Sequence, residues 1–111
     1  MYHDERLAEQ IRELAAEFIS REASKQSLIT VTSVRLYDDN RNATVFFTAY
    51  PESHEKTALE FLKRKRPDFK EYVKRNAPIG RIPFFDFEID LGEKNRQRIE
   101  ELSQEDKKDE G

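Results

Sequence analysis

The stretch that decides the fold is Lys63-Arg64-Lys65-Arg66-Pro67-Asp68, a basic run that ends at a proline. Proline has no backbone N–H and disfavours helical geometry in the residue before it, so we expect a helix to break at Arg66-Pro67. Asp68, with Glu71 three residues later, has the pattern of a capping box that starts a new helix. The middle of the chain is therefore predicted to form two helices rather than one.

Apolar spacing predicts a helix on each side of this break. Upstream, Ser53 is predicted as the N-cap of a helix that runs to Arg66. Its buried face is predicted to contain Ala58, Leu59 and Leu62. Downstream, a second apolar face at helical spacing extends to about Arg75. That face contains Phe69, Tyr72 and Val73.

Outward from the break, strand patterns lie on both sides. Residues 28–37 and 43–50 alternate apolar and polar side chains across the turn-forming residues 38–42, which predicts an antiparallel hairpin. A change of apolar parity between Val31 and Val34 predicts a β-bulge near Thr32-Ser33. Residues 81–90 form the third predicted strand. Helical spacing predicts a first helix over residues 4–21 and a short last helix over residues 93–102.

The element order is α-β-β-α-α-β, which is the order of the type II KH fold. The predicted fold class is α+β and KH-like, with a three-stranded sheet, helices packed on one face and a broken middle helix. In KH domains the loop between the two middle helices clamps the backbone of four nucleotides. We expect residues 1–102 to form one domain and residues 103–111 to form a disordered polar tail.

The composition excludes several classes of protein. The chain has 111 residues, no cysteine, 36% apolar residues and 39% charged residues. Disulfides and cysteine-based metal sites are therefore excluded, and the absence of cysteine fits a reducing cytoplasm. No apolar run approaches the ~20 residues that span a membrane, and the acidic N-terminus does not resemble a signal peptide. We expect a cytoplasmic protein without a membrane partner.

The charge distribution is uneven. The net charge is −3, but the segment from Lys63 to Arg81 carries eight basic and two acidic residues, or +6, which leaves −9 for the rest. Exposed charges more than about 10 Å apart are largely screened, so a local basic field on an acidic body can still bind phosphate. The predicted RNA-binding residues are Lys63, Arg64, Lys65, Arg66, Lys70, Lys74, Arg75 and Arg81, with Pro67 and Asp68 as the structural kink. The run could also be an ordinary solvated helix face.

No arrangement of residues indicates catalysis. The sequence has no recognisable catalytic triad, glycine-rich phosphate loop or paired-carboxylate motif, so we expect neither an enzyme nor a cofactor. His3 and His54 lack ligand spacing and are interpreted as surface residues without a metal. Three acidic residues alternate along the third strand; they could bind Mg²⁺, but a charged edge that resists strand pairing is the simpler interpretation. They are Asp86, Glu88 and Asp90.

Aromatic residues in the strands have two interpretations. Tyr37, Phe46 and Tyr50 could stack on bases, although packing within the sheet is the commoner role of such residues. Phe84, beside Pro83, is predicted to pack onto a helix rather than to contact a ligand.

Four stretches resemble the bacterial ribosome-binding factor A family. Residues 28–34 (Leu-Ile-Thr-Val-Thr-Ser-Val) resemble its first strand, and residues 42–49 resemble its second strand. Arg81-Ile82-Pro83 and the alternating strand after it resemble the family's basic-x-Val-Pro signature. Residues 98–102 (Arg-Ile-Glu-Glu-Leu) match its Arg-Ile-x-x-Leu motif. The resemblance extends from about residue 6 to residue 102.

The resemblance implies a non-catalytic, cold-shock-linked assembly factor. Such a protein binds 16S ribosomal RNA and the 30S subunit during maturation and supports processing of the RNA end. We expect it to be a monomer without a small-molecule substrate. The alternative is a protein-interaction domain that docks through its acidic surface. The family's usual kink at Ala-x-Gly aligns with Lys65-Arg66-Pro67, so our hypothesis is that proline supplies the kink here.

Overall fold

The computed structural model describes the backbone of residues 2–23 and 27–109, and the side chains of residues 5–23 and 27–100. A three-stranded sheet in the order β1-β2-β3 lies at the centre of the fold. β1 (Leu28–Tyr37) and β2 (Asn42–Tyr50) are antiparallel, and β3 (Phe84–Ile89) is parallel to β2. The predicted hairpin is confirmed, and so is the bulge, because the β1–β2 register shifts between Val31 and Ser33.

The described chain has four α-helices, and the first three pack on one face of this sheet. The helices are α1 (Tyr2–Glu22), α2 (Glu55–Arg64), α3 (Arg66–Asn76) and α4 (Leu91–Asp109), with a single 3₁₀ turn (Glu52–His54) before α2. The α-β-β-α-α-β order and the α+β, KH-like fold class are confirmed. None of the helices within the described backbone is both long enough and apolar enough to cross a membrane.

The core lies between the sheet and α1, α2 and α3. Four side chains at alternate positions of β2 are buried there: Ala43, Val45, Phe47 and Ala49. Phe69 of α3 is fully buried at the centre, with its ring centroid 4.7 Å from that of Phe85 and 5.3 Å from that of Phe18. Such tilted aromatic pairs add to the stabilisation that burial alone provides. This cluster fixes α3, and with it the helix break, against β3.

The predicted starts of α2 and β3 are wrong. Ser53 does not cap α2, because the chain after Pro51 first closes a 3₁₀ turn through the His54 N–H to Pro51 O bond of 2.9 Å. β3 begins at Phe84 rather than at residue 81, since Pro83 has no N–H for a sheet ladder.

The last helix is longer than predicted. α4 begins at Leu91 because Asp90 caps it, with its carboxylate accepting a 3.0 Å bond from the Glu93 N–H. Its backbone continues through Asp109, since Gln, Glu and Lys after residue 102 favour helix. The helical backbone of residues 103–109 differs from the predicted tail. The domain boundary at residue 102 stays a prediction.

Candidate nucleic-acid interface

The break between α2 and α3 is centred on Lys65, one residue before the predicted position. Lys65 has φ −88° and ψ 4°, whereas Arg66 is the first residue of α3. Proline fits the first turn of a helix, where a backbone N–H has no partner in any case, so α3 can begin just before Pro67. Asp68 is therefore in the first turn of α3 and is not its cap, which corrects the predicted capping box.

Pro67 also explains the position of Arg66. In a continuous helix the N–H of residue 67 would donate to the carbonyl of Lys63, four residues earlier. Proline has no such donor, and the Arg66 Nε donates to Lys63 O instead, at 3.1 Å. The side chain of Arg66 thus satisfies the carbonyl that proline leaves without a helical partner. The sequence feature that breaks the helix therefore also orients a predicted RNA-binding cation.

Asp86 on β3 holds two of the predicted cations. Its Oδ1 accepts a 3.0 Å hydrogen bond from Lys63 Nζ and lies 3.4 Å from Arg66 Nη1. The Phe87 backbone N–H donates to the same oxygen at 2.9 Å. Asp86 therefore also satisfies an amide on the edge strand, and a charged edge that resists strand pairing stays a prediction.

The Asp86 carboxyl has a lowered pKa. Burial alone would raise this pKa, but the hydrogen bonds from Lys63 and the Phe87 N–H, with the charges of Lys63 and Arg66, outweigh the effect of burial. Asp86 is thus anionic at neutral pH and neutralises part of the basic surface.

A groove of about 700 Å³ opens beside the helix break. Its lining includes five of the eight predicted RNA-binding residues: Lys63, Arg64, Arg66, Lys70 and Arg81. Pro67 and the apolar segment from Ile82 to Phe85 complete this side of the groove. We call this site the basic groove. Its cationic lining and apolar floor match the two components of a nucleotide, a charged phosphate and a flat base.

The residues of the basic groove that were not predicted include Arg41 and Phe84. Arg41 lies after the β1–β2 turn, and its carbonyl accepts a 2.8 Å bond from the Phe84 N–H, which brings it to the groove. Phe84 is 63% exposed, with the Arg66 guanidinium carbon 5.8 Å from its ring centroid. The predicted packing of Phe84 onto a helix is therefore wrong. Parallel pairing of β2 with β3 brings Arg41 and Phe84 to the basic groove, and no local sequence signal specifies that pairing.

The other three predicted contacts lie outside the basic groove. Lys65 forms ion pairs of 3.6 Å with Glu22 and Asp68. Arg75 borders a separate depression near Glu22 and Asp68, and Lys74 is exposed on α3. Acidic neighbours reduce the local attraction for phosphate, so the site divides into a groove set and an outer set.

The described side chains contain no group of three His, Asp or Glu residues arranged to hold a metal ion. His54 Nδ1 lies 2.6 Å from Ser27 Oγ, and Asp90 is engaged by the start of α4 and by the Thr32 hydroxyl. The side chain of His3 lies outside the described residues.

Comparison with known proteins identifies the family. The sequence profile described as "Ribosome-binding factor A" matches residues 3–103. The chain belongs to the ribosome-binding factor A family. Ribosome-binding factor A from Thermobifida fusca is 33% identical over 100 residues, which cover 87% of this chain and 66% of that protein. The chain thus spans slightly less than two thirds of that relative's length.

Two structures from the family share the fold. The crystal structure of ribosome-binding factor A from Thermus thermophilus is 28% identical, with a TM-score of 0.70 over 78% of this chain and 93% of that chain. A homology model of the Thermus thermophilus protein, fitted into a cryo-EM map of a 30S complex, has a TM-score of 0.63 and 28% identity. It covers 72% of this chain and 87% of that one.

Proposed function

We propose that this protein assists maturation of the 30S ribosomal subunit by binding 16S ribosomal RNA through the basic groove, without catalysis. Family membership supports the ribosomal partner, and the Thermus thermophilus relative has been fitted to a map of a 30S complex. The observation that carries the proposal is the gathering of six basic side chains around one groove. They are Arg41, Lys63, Arg64, Arg66, Lys70 and Arg81.

The groove holds the RNA backbone in position and catalyses no reaction. Arginine and lysine bind phosphate oxygens by charge-assisted hydrogen bonds, and these contacts fix register along the RNA backbone. Release of counterions from the RNA then makes binding fall as salt increases. We propose that the outer set contacts flanking phosphates by the same interactions; its members are Lys65, Lys74 and Arg75. The protein acts as a monomer, and its binding supports processing of the end of 16S RNA.

Three groove residues allow a clean test, because Arg64, Lys70 and Arg81 form no ion pair with the other described side chains. The groove triple variant is Arg64→Gln/Lys70→Gln/Arg81→Gln. Its control is Arg6→Gln/Arg35→Gln/Lys56→Gln, which removes the same charge from sites outside the groove. Both variants change the net charge from −3 to −6.

The test is rescue of cells that lack the protein during slow growth in the cold. We expect the wild-type protein and the control triple to sediment with immature small subunits and to restore 16S processing. The groove triple should do neither. Full rescue by the groove triple would contradict the proposal. It would instead support the alternative of docking through the acidic surface, which these substitutions leave intact.

A further inference from the structure

The most exposed large apolar side chain of β3 lies in the basic groove. Phe84 is 63% exposed, whereas Phe85 and Phe87 on the same strand are buried. Its backbone is fixed by the 2.8 Å bond to Arg41 O, so the ring is presented from a rigid strand end. Arg66 lies within cation–π range of the ring, with its guanidinium carbon 5.8 Å from the centroid. The exposed part of this ring is therefore accessible to a flat partner.

We propose that Phe84 is a stacking platform for one unpaired base of the bound RNA, and that the protein therefore binds single-stranded RNA in preference to duplex RNA. This inference rests on the proposed function, because it assumes that the groove holds RNA. Aromatic rings and guanidinium planes stack on bases that are free of their neighbours. In a duplex both faces of a base are covered, so only an unstacked base can reach Phe84.

The charge of the groove supports this occupant. Among the described residues that line it, six are basic and none is acidic, so the rim favours a polyanion. Ile82 and Pro83 line the groove with Phe84, and their side chains offer no hydrogen bond to distinguish one base edge from another. The arrangement therefore predicts stacking with little base preference, flanked by phosphates on the cations. A volume of about 700 Å³ lies within the usual range for a site that encloses one such group.

The absence of tryptophan from the chain allows a direct optical test. Phe84→Trp introduces a single tryptophan at the proposed platform. Tyr50→Trp is the control, because Tyr50 is 74% exposed at the opposite end of β2 and does not line the groove. We expect an unstructured RNA strand to quench the fluorescence of Phe84→Trp and to leave that of Tyr50→Trp unchanged. Equal quenching of both, or quenching of Tyr50→Trp alone, would overturn the proposal.

Affinity provides an independent measurement. Phe84→Leu removes the ring but keeps an apolar side chain and the charge of the groove. We expect it to weaken binding of the single strand by at least about fivefold, the lower limit of what base stacking contributes, and to leave the salt dependence unchanged. Tyr50→Leu should bind as the wild type does. Binding of the same sequence as a duplex should be weaker in the wild type and insensitive to Phe84→Leu.

The two proposals fail in different ways. If the wild type binds RNA with a salt dependence that the groove triple weakens, but Phe84→Leu binds the single strand as tightly as the wild type, stacking is excluded and the RNA-binding groove remains. If the wild type prefers duplex RNA, the inference is likewise overturned. Failure of the wild-type protein to bind RNA at all would overturn both.

Discussion

The Lys63 ammonium donates a 3.0 Å hydrogen bond to the Asp86 carboxylate, which ties the last turn of α2 to the edge strand β3. The same carboxylate lies 3.4 Å from the Arg66 guanidinium, on the other side of the helix break. One acid thus holds a cation from each of the two helices. It positions both at the basic groove and competes with RNA phosphates for them.

Replacing Asp86 with Asn should strengthen RNA binding. The amide oxygen can still accept the Phe87 N–H, while the negative charge that engages Lys63 and Arg66 is lost. We expect higher affinity for RNA. We also expect the slope of log binding constant against log salt concentration to become steeper by ~0.7 for each added phosphate contact on a single strand. Fluorescence anisotropy at several salt concentrations measures both. Glu88→Gln, an exposed acid on the same strand, is the charge-matched control and should change the slope less. Weaker binding of Asp86→Asn would contradict this competition.

Asp86 should also make folding stability depend on pH. Its folded-state pKa is lowered, so the unfolded chain takes up this proton first as pH falls. The stabilisation is therefore complete above the unfolded pKa of ~3.9 and is lost as pH falls through the folded pKa. Urea unfolding should show wild type more stable than Asp86→Asn by about 1 kcal/mol near pH 7, with the difference disappearing at low pH. If the stability difference between the wild type and Asp86→Asn grew as pH fell, this prediction would be contradicted.

Replacing Pro67 with Ala tests the origin of the break. Alanine supplies the N–H that can donate to Lys63 O, so α2 and α3 should join and the Arg66 side chain should leave that carbonyl. We expect a protected amide at residue 67 in hydrogen exchange, helical chemical shifts at Lys65 and several-fold weaker RNA binding. An unchanged fold with unchanged affinity would exclude proline as the functional kink.

Substitutions at Phe69 and Phe84 compare a buried core position with an exposed position in the basic groove. Phe69→Ala removes a fully buried ring from the aromatic cluster and should lower the free energy of unfolding by about 3–5 kcal/mol. Phe84→Ala makes the same chemical change at an exposed position and should cost less than about 1 kcal/mol. Denaturant titration compares the two directly. Equal losses would place Phe84 in the core and contradict its exposure.

Local sequence patterns were sufficient for much of the fold. Alternation specified β1 and β2 almost to the residue, and the parity change located the bulge. The predicted start of α2 was wrong because Ser53 resembles an N-cap, whereas the turn that forms after Pro51 depends on backbone geometry. The α4 cap was missed although Asp90-Leu91-Gly92-Glu93 has the spacing of a capping box.

The candidate site was less predictable, because it depends on contacts between distant segments. The basic run located the break, but charge alone could not show that Lys65 would pair with Glu22 while Arg64 remained free for the groove. Arg41 and Phe84 join the site only through the parallel pairing of β2 and β3, which has no local signature. The role of Asp86 as counter-ion likewise requires the packing of α2 against the edge strand.

The salt dependence of binding to small-subunit RNA tests most directly whether the basic groove binds RNA by its charge. With ~0.7 per phosphate contact on a single strand, the groove triple should reduce the log–log slope by about 2. The control triple, with an identical net charge, should keep the wild-type slope. Equal slopes for the groove triple and the wild type would contradict the account.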